Sequence, residues 1–90
     1  IAQIMELVEK TGSLSEACRQ MQMAYSKGWR IVKRAENELG FSLMTGNSGG
    51  KGGGNMTLTE QGRNFLEKYQ AMDAELKKDA QTLFEKYFTN

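Results

Sequence analysis

The sequence predicts a mainly α-helical domain with one small β-hairpin, and three observations support this fold class. Apolar residues recur at helical spacing in four segments of the chain. Two short segments instead alternate apolar and polar residues, which is the periodicity of a strand. Between them lies the glycine-rich stretch SGGKGGGN, residues 48–55, which suits the tip of a hairpin. A chain of 90 residues has room for one modest hydrophobic core.

The first two predicted helices are short. IAQIMELVEK places its apolar residues on one face, and Gly12 is expected to end this helix because glycine readily adopts the left-handed conformation at a helix C-terminus. The second helix is expected to start with Ser15 as its N-cap. Its inward-facing residues are expected to be Ala17, Cys18 and Met21. Residues 23–24 then form a tight connection to the next helix.

The third helix is predicted from Tyr25 to Leu39, with Gly40 as its stop. At about 100° per residue, an apolar stripe and a cationic pole fall on opposite sides of this helix. The stripe comprises Tyr25, Gly28, Val32, Ala35 and Leu39. The opposite pole, called the basic face below, comprises Lys27, Arg30 and Arg34, flanked by Ser26, Lys33 and Asn37. Glu36 and Glu38 lie off this pole and are interpreted as solvated surface.

The two strand segments are FSLMT, residues 41–45, and NMTL, residues 55–58. The glycine run between them lets main-chain N–H groups and Lys51 come close to an anion without side-chain bulk. A nucleotide-binding phosphate loop is excluded, because three residues separate Gly46 from Gly50 where that motif has four. Helix, helix, helix, strand, glycine tip and strand form the order of a winged helix-turn-helix.

The last predicted helix is long and is capped at its start by Thr59. Its apolar residues repeat at steps of three and four: Phe65, Tyr69, Met72, Leu76, Ala80, Leu83 and Tyr87. At 1.5 Å per residue the helix measures roughly 43 Å, which is longer than the core of so small a domain. We therefore expect residues 1–63 to form a DNA-binding domain and residues 64–90 to form a helix that pairs with a second copy.

Positive charge is concentrated in the middle of the chain. Residues 19–63 carry seven Lys and Arg side chains against three Glu, and no acidic residue lies between Arg19 and Arg34. This distribution indicates a segment that meets a polyanion, and we expect double-stranded DNA as the partner. Base-edge contacts are expected from Tyr25, Ser26, Lys27 and Arg30. Phosphate contacts are expected from Arg19, Lys33, Arg34, Lys51 and Arg63.

Composition argues against several other classes of function. The chain has one cysteine, Cys18, and no histidine, so thiolate–imidazole metal sites and histidine-based catalysis are excluded. We expect Cys18 to be a small buried apolar residue, and we expect no enzymatic activity, metal or cofactor. No apolar run is long enough for a membrane span and no leader opens the sequence, so a cytoplasmic location is expected.

Two segments carry a family resemblance: TGSLSEACRQMQMAYSKGWRIVKRAENELG, and FSLMTGNSGGKGGGNMTLTEQGRNFL. They resemble the N-terminal DNA-binding domain of the molybdate-responsive ModE regulators and, more distantly, the LysR-type winged helix-turn-helix. The resemblance implies a bacterial transcriptional regulator that dimerises through its first and last helices. Dimer contacts would then include Ile1 and Ile4 in addition to Phe65, Tyr69, Met72, Leu76, Leu83 and Tyr87.

The chain departs from the family pattern at three points. Ala24 stands where a capping Ser is common, which weakens the start of the third helix by about 1 kcal/mol. Gly28 stands where alanine is usual, at a similar cost in helix propensity. No sequence after Asn90 corresponds to the molybdate-binding domains of full-length ModE proteins, so effector sensing is not carried over to this chain.

Three questions stay open on sequence alone. Trp29 lies about 60° from the centre of the apolar stripe, which favours the core but also permits a DNA contact. The basic face suits acidic side chains of a partner protein as well as phosphates, so a protein-interaction module is an alternative function. Double-stranded RNA is an alternative nucleic acid, distinguishable by competition between duplexes.

Overall fold

The computed structural model describes residues 1–46 and 55–89 and confirms the mainly α-helical fold with a two-stranded antiparallel hairpin. The glycine-rich tip lies between the described ranges, and with it Asn47, Ser48 and Lys51. The elements in chain order are α1 (Ala2–Thr11), α2 (Leu14–Gln20), α3 (Tyr25–Leu39), β1 (Met44–Gly46), β2 (Met56–Leu58) and α4 (Glu60–Phe88).

Helix α1 ends as predicted, at Gly12, whose φ is 72°. The prediction of Ser15 as the cap of α2 is wrong: Ser13, with φ −149°, is the N-cap, and its hydroxyl accepts a hydrogen bond from the Glu16 N–H at 3.0 Å. A side-chain oxygen reaches the N–H three residues ahead, so a cap at Ser13 lets the helix start at Leu14 and bury it.

Helix α3 runs from Tyr25 to Leu39, as predicted, and ends at Gly40 with φ 83°. Its N-cap, Ala24, provides no side-chain acceptor, which confirms the weakened start. The predicted apolar stripe holds in the middle of the helix, where Gly28 and Val32 are buried. At the two ends Tyr25 (38%) and Leu39 (37%) are exposed, so their predicted place in the buried stripe is wrong.

Gly28 marks a close crossing of α2 and α3. A Cβ at this position would overlap the Cys18 Sγ, so the glycine that lowers helix propensity is required by packing. Cys18 itself is buried, as expected, and burial raises the pKa of its thiol. The pair is complementary in size, with a larger residue on α2 facing the smallest residue on α3.

The hairpin is shorter than predicted and starts later. β1 begins at Met44, and its register with β2 pairs Met44 with Leu58, Thr45 with Thr57 and Gly46 with Met56. Leu43 and Met44 are both buried, so the alternation expected over residues 41–45 is wrong. On β2, Met56 and Leu58 are buried and Thr57 is exposed, which confirms the alternation there.

Leu43 departs from the expected strand because it contacts both α3 and the start of α4 directly before β1. Its carbonyl oxygen accepts the Thr59 N–H at 3.0 Å, and its side chain is fully buried. Gly62 lies directly against this carbonyl, where a Cβ would overlap the oxygen. The Thr59 hydroxyl caps α4, as predicted, by accepting the Gly62 N–H at 2.9 Å. The start of α4 is therefore fixed against the segment that leads into β1.

Only the first turns of α4 belong to the core. Gly62 and Leu66 are the buried residues of this 29-residue helix, and two side-chain hydrogen bonds also join it to α1: Arg63 to Glu9 at 2.9 Å and Gln70 to Glu6 at 2.7 Å. The rest of α4 extends beyond the domain, and the molecule measures 57 × 27 × 20 Å. In the described ranges, no helix has the length and apolar character needed to cross a membrane.

Candidate nucleic-acid interface

Helix α3 presents its basic face to solvent. Lys27, Arg30 and Arg34 are exposed, as are the flanking Ser26, Lys33 and Asn37. The opposite side of the helix is held against α2 by Gly28, so the orientation of the basic face is fixed by the core. Its cations cannot turn inward without breaking that packing.

The cations on α3 differ in their surroundings. Lys33 pairs with Glu36 at 3.2 Å and Arg34 pairs with Glu38 at 3.3 Å. Lys27 and Arg30 have no ion-pair partner among residues 1–46 and 55–89. The Arg34–Glu38 pair is exposed and therefore weak, roughly 0–1 kcal/mol, so a phosphate can replace that carboxylate, whereas Glu36 is nearly buried. Lys27 and Arg30 are the described cations of α3 for which no ion pair must first be displaced, although the Arg30 Nε donates a hydrogen bond to the Ser26 carbonyl at 3.4 Å.

The other two described phosphate candidates lie on other helices. Arg19, on α2, forms a hydrogen-bonded ion pair with Glu16, and this guanidinium lowers the pKa of the Glu16 carboxyl. Arg63, in the first turn of α4, pairs with Glu9 of α1. Both are exposed, but each is engaged by an acid of the N-terminal region. Lys51 lies outside the described residues.

Trp29 is at the surface, so of the two alternatives left open by the sequence, the favoured one, a core position, is wrong. Its side chain is 44% exposed, and the Lys33 Nζ lies 5.3 Å from the ring centroid, within the range of a cation–π contact. Trp29 and Lys33 form one wall of a groove of about 290 Å³, whose other wall includes Met44, Thr45 and Met56 of the hairpin. The indole therefore stands where α3 and the hairpin meet.

Glu36 was misjudged from the sequence, where it was interpreted as solvated. Its side chain is only 12% exposed, and Oε2 accepts the Leu43 N–H at 2.8 Å. The available signal was its angular position, about 40° from Val32 on the helix, which places it next to the apolar stripe. Glu38 matches the expectation of a solvated carboxylate, with a side chain that is 70% exposed.

The apolar face of α4, defined by the seam from Phe65 to Tyr87, is uncovered beyond Tyr69. Leu76 is 62% exposed, and Met72, Leu83 and Tyr87 are also exposed. Phe84 and Phe88, which the seam did not include, widen this face near the end of the helix; their ring centroids are 5.2 Å apart. Ile4 is 1% exposed and packs in the subunit core, so its expected place on a dimer surface is wrong; Ile1 and Phe65 are partly buried.

Three helices followed by a hairpin, with an exposed cationic α3, define a winged helix-turn-helix protein. The fold is similar to that of the protein chain in the crystal structure of the CbnR DBD–DNA complex, with a TM-score of 0.72 and 18% identity, over 90% of this chain and 87% of that chain. The family model for bacterial regulatory helix-turn-helix proteins of the LysR family matches residues 2–63. The chain therefore belongs to the LysR family.

Curated relatives confirm the ModE-like resemblance. The chain is 32% identical over 71 residues to the molybdenum-pterin-binding protein MopB of Rhodobacter capsulatus, covering 79% of this chain and 26% of that protein. It is 28% identical over 72 residues to the molybdenum transport protein ModE of Azotobacter vinelandii, covering 80% of this chain and 27% of that protein. The chain thus spans about a quarter of the length of these relatives.

Proposed function

We propose that the chain binds duplex DNA as a homodimer and regulates transcription. The observation that carries this proposal is the exposed basic face of α3, on which Lys27 and Arg30 have no ion-pair partner among the described residues. Membership of a family of bacterial regulatory helix-turn-helix proteins supports the same function. A helix with an exposed cationic face suits the major groove, which admits one α-helix.

Charge and exposure determine which residues are proposed to contact bases and which to contact phosphates. Tyr25, Ser26, Lys27 and Arg30, at the start of α3, contact base edges, because residues near the N-terminus of a recognition helix reach deepest into the groove. Phosphate contacts come from Arg19, Lys33, Arg34, Lys51 and Arg63. Arg19, Arg34 and Arg63 exchange a carboxylate for a phosphate on binding, at little cost for exposed pairs. Lys33 keeps its bond to Glu36 and meets phosphate with its remaining N–H donors.

Dimerisation is proposed to occur through residues 64–90, with residues 1–63 as the DNA-binding domain. Support comes from the long apolar face of α4, which the subunit does not cover beyond Tyr69. A second copy of the same helix supplies a complementary face and a two-fold axis. Two basic faces would then meet two half-sites on one duplex.

Selection from a random duplex pool tests this proposal. We expect a two-fold symmetric site whose half-sites lie about one helical turn, or a multiple of it, apart. If each subunit neutralises about four phosphates, affinity should fall by at least about 10³-fold between about 50 and 200 mM salt. Failure to enrich any duplex, or a salt-insensitive complex with a protein in place of DNA, would contradict it. Preference for an RNA duplex in direct competition would correct the nucleic acid.

A further inference from the structure

One carboxylate ties the basic face to the hairpin. Glu36 Oε2 accepts the N–H of Leu43, the residue before β1, at 2.8 Å. Its other oxygen, Oε1, holds the Lys33 Nζ at 3.2 Å, and that ammonium lies 5.3 Å from the centre of the Trp29 ring. A continuous chain of contacts therefore runs from the segment that leads into the hairpin, through Glu36, to the two side chains at the mouth of the groove between α3 and the hairpin.

The contact with Leu43 has mechanical consequences. Leu43 is fully buried, and its carbonyl accepts the Thr59 N–H at 3.0 Å, so this residue cannot shift without disturbing the start of α4. The hydrogen bond that Leu43, a fixed point, donates to Glu36 sets the position of β1 relative to α3. A nearly buried, charged acceptor makes this bond stronger than one between neutral groups.

The contact with Lys33 prepares an anion site. An ammonium has three donors, and the bond to Glu36 uses one of them. The exposed Trp29 beside it offers apolar surface and an indole N–H donor. A phosphate with its deoxyribose matches this combination of a cation, an N–H and an apolar surface.

We propose, on the basis of the DNA-binding function above, that Glu36 is a positioning residue. It fixes the position of the hairpin relative to α3 and holds the Lys33 ammonium near the Trp29 ring. A DNA phosphate then binds in the groove between α3 and the hairpin. The proposal predicts the opposite of simple electrostatics. Electrostatic repulsion alone predicts that removing any acid near the DNA strengthens binding. The positioning role predicts that removing Glu36 weakens binding.

Glu38 is the matched control, because it is also an acid on α3 paired with a cation, but it is exposed and binds no backbone group in the described structure. The 90-residue chain and its Glu36→Ala, Glu36→Gln and Glu38→Ala variants are titrated with the duplex that the wild-type chain selects from a random pool, at one salt concentration. We expect Glu36→Ala to lose on the order of tenfold in affinity, as for a lost hydrogen bond to a charged group. Glu38→Ala should bind as tightly as the wild type or more tightly.

Two further measurements separate positioning from stability. Glu36→Gln keeps an oxygen for the Leu43 N–H, so it should recover most of the affinity that Glu36→Ala loses. Trp29 is the single tryptophan of the chain, so its fluorescence reports on the groove. Saturating duplex should change this fluorescence in the wild type and in Glu38→Ala, and should change it much less in Glu36→Ala. Circular dichroism should show that Glu36→Ala and Glu38→Ala are folded like the wild type.

The outcomes are distinct. If Glu36→Ala binds as well as Glu38→Ala, or if duplex leaves the Trp29 fluorescence of the wild type unchanged, the positioning role is wrong while DNA binding stands. If Glu36→Ala does not fold, the Trp29 response decides: a fluorescence change on adding duplex to both the wild type and Glu36→Gln supports the role, and its absence in either protein overturns it. If the wild-type chain binds no duplex, the proposed function fails together with this inference.

Discussion

Helices α3 and α4 are both amphipathic, but they expose different faces: α3 exposes its cationic face, and α4 exposes most of its apolar face. Helix α3 buries Gly28 and Val32 and leaves its cations exposed. Helix α4 buries only Gly62 and Leu66 and leaves a long apolar face exposed. An exposed cationic face suits a polyanion, and an exposed apolar face suits another protein surface. The two uncovered faces therefore suit the two different partners proposed above, DNA for α3 and a second copy for α4.

The largest expected loss of DNA affinity comes from disrupting the proposed contact between the α4 helices of two copies. Leu76→Asp places a charge in the middle of the apolar face, where a paired helix would have to bury it. We expect a monomer in sedimentation experiments and an affinity for the two-fold DNA site lower by at least about 100-fold, because the second half-site is no longer delivered with the first. Ala74→Asp is the control, since Ala74 is exposed and lies about 160° around the helix from Leu76.

The next largest loss of affinity is expected from removing cations of α3 that are proposed to contact DNA. Lys27→Ala and Arg30→Ala should each cost about 1–3 kcal/mol of DNA binding and relax preference at one base position, with little change in the midpoint of thermal unfolding. Lys78→Ala removes the same charge from an exposed position of α4 and should leave the affinity nearly unchanged. Equal losses from all three variants would mean that net charge, and not the basic face, determines binding. The measurement is fluorescence anisotropy with the selected duplex.

The smallest effect tests the covered side of α3. Gly28→Ala should lower the free energy of unfolding by about 1–3 kcal/mol through overpacking against Cys18, although alanine raises helix propensity by about 1 kcal/mol. Urea unfolding measures this change. The double variant Cys18→Ala with Gly28→Ala removes the sulfur that is in the way and should recover most of the loss. A Gly28→Ala variant as stable as the wild type would show that α2 and α3 separate at little cost.

Sequence alone determined the features that depend on neighbours within one or two turns. The ends of α1 and α3 at Gly12 and Gly40, the cap of α4 at Thr59 and the cationic pole of α3 follow from local backbone preferences and helical periodicity. The apolar seam of α4 belongs to the same class, since its spacing is a property of one continuous segment.

Tertiary structure alone decided which of these surfaces are covered and what each exposed group touches. Ile4 is buried because other elements pack over α1, Trp29 lies exposed beside the groove between α3 and the hairpin, and Leu43 turns inward where α4 begins against its carbonyl. Glu36 is a binding partner of Leu43, seven residues away, and not a solvated acid. Each outcome depends on a contact between elements, and helical or strand periodicity carries no information on which elements meet.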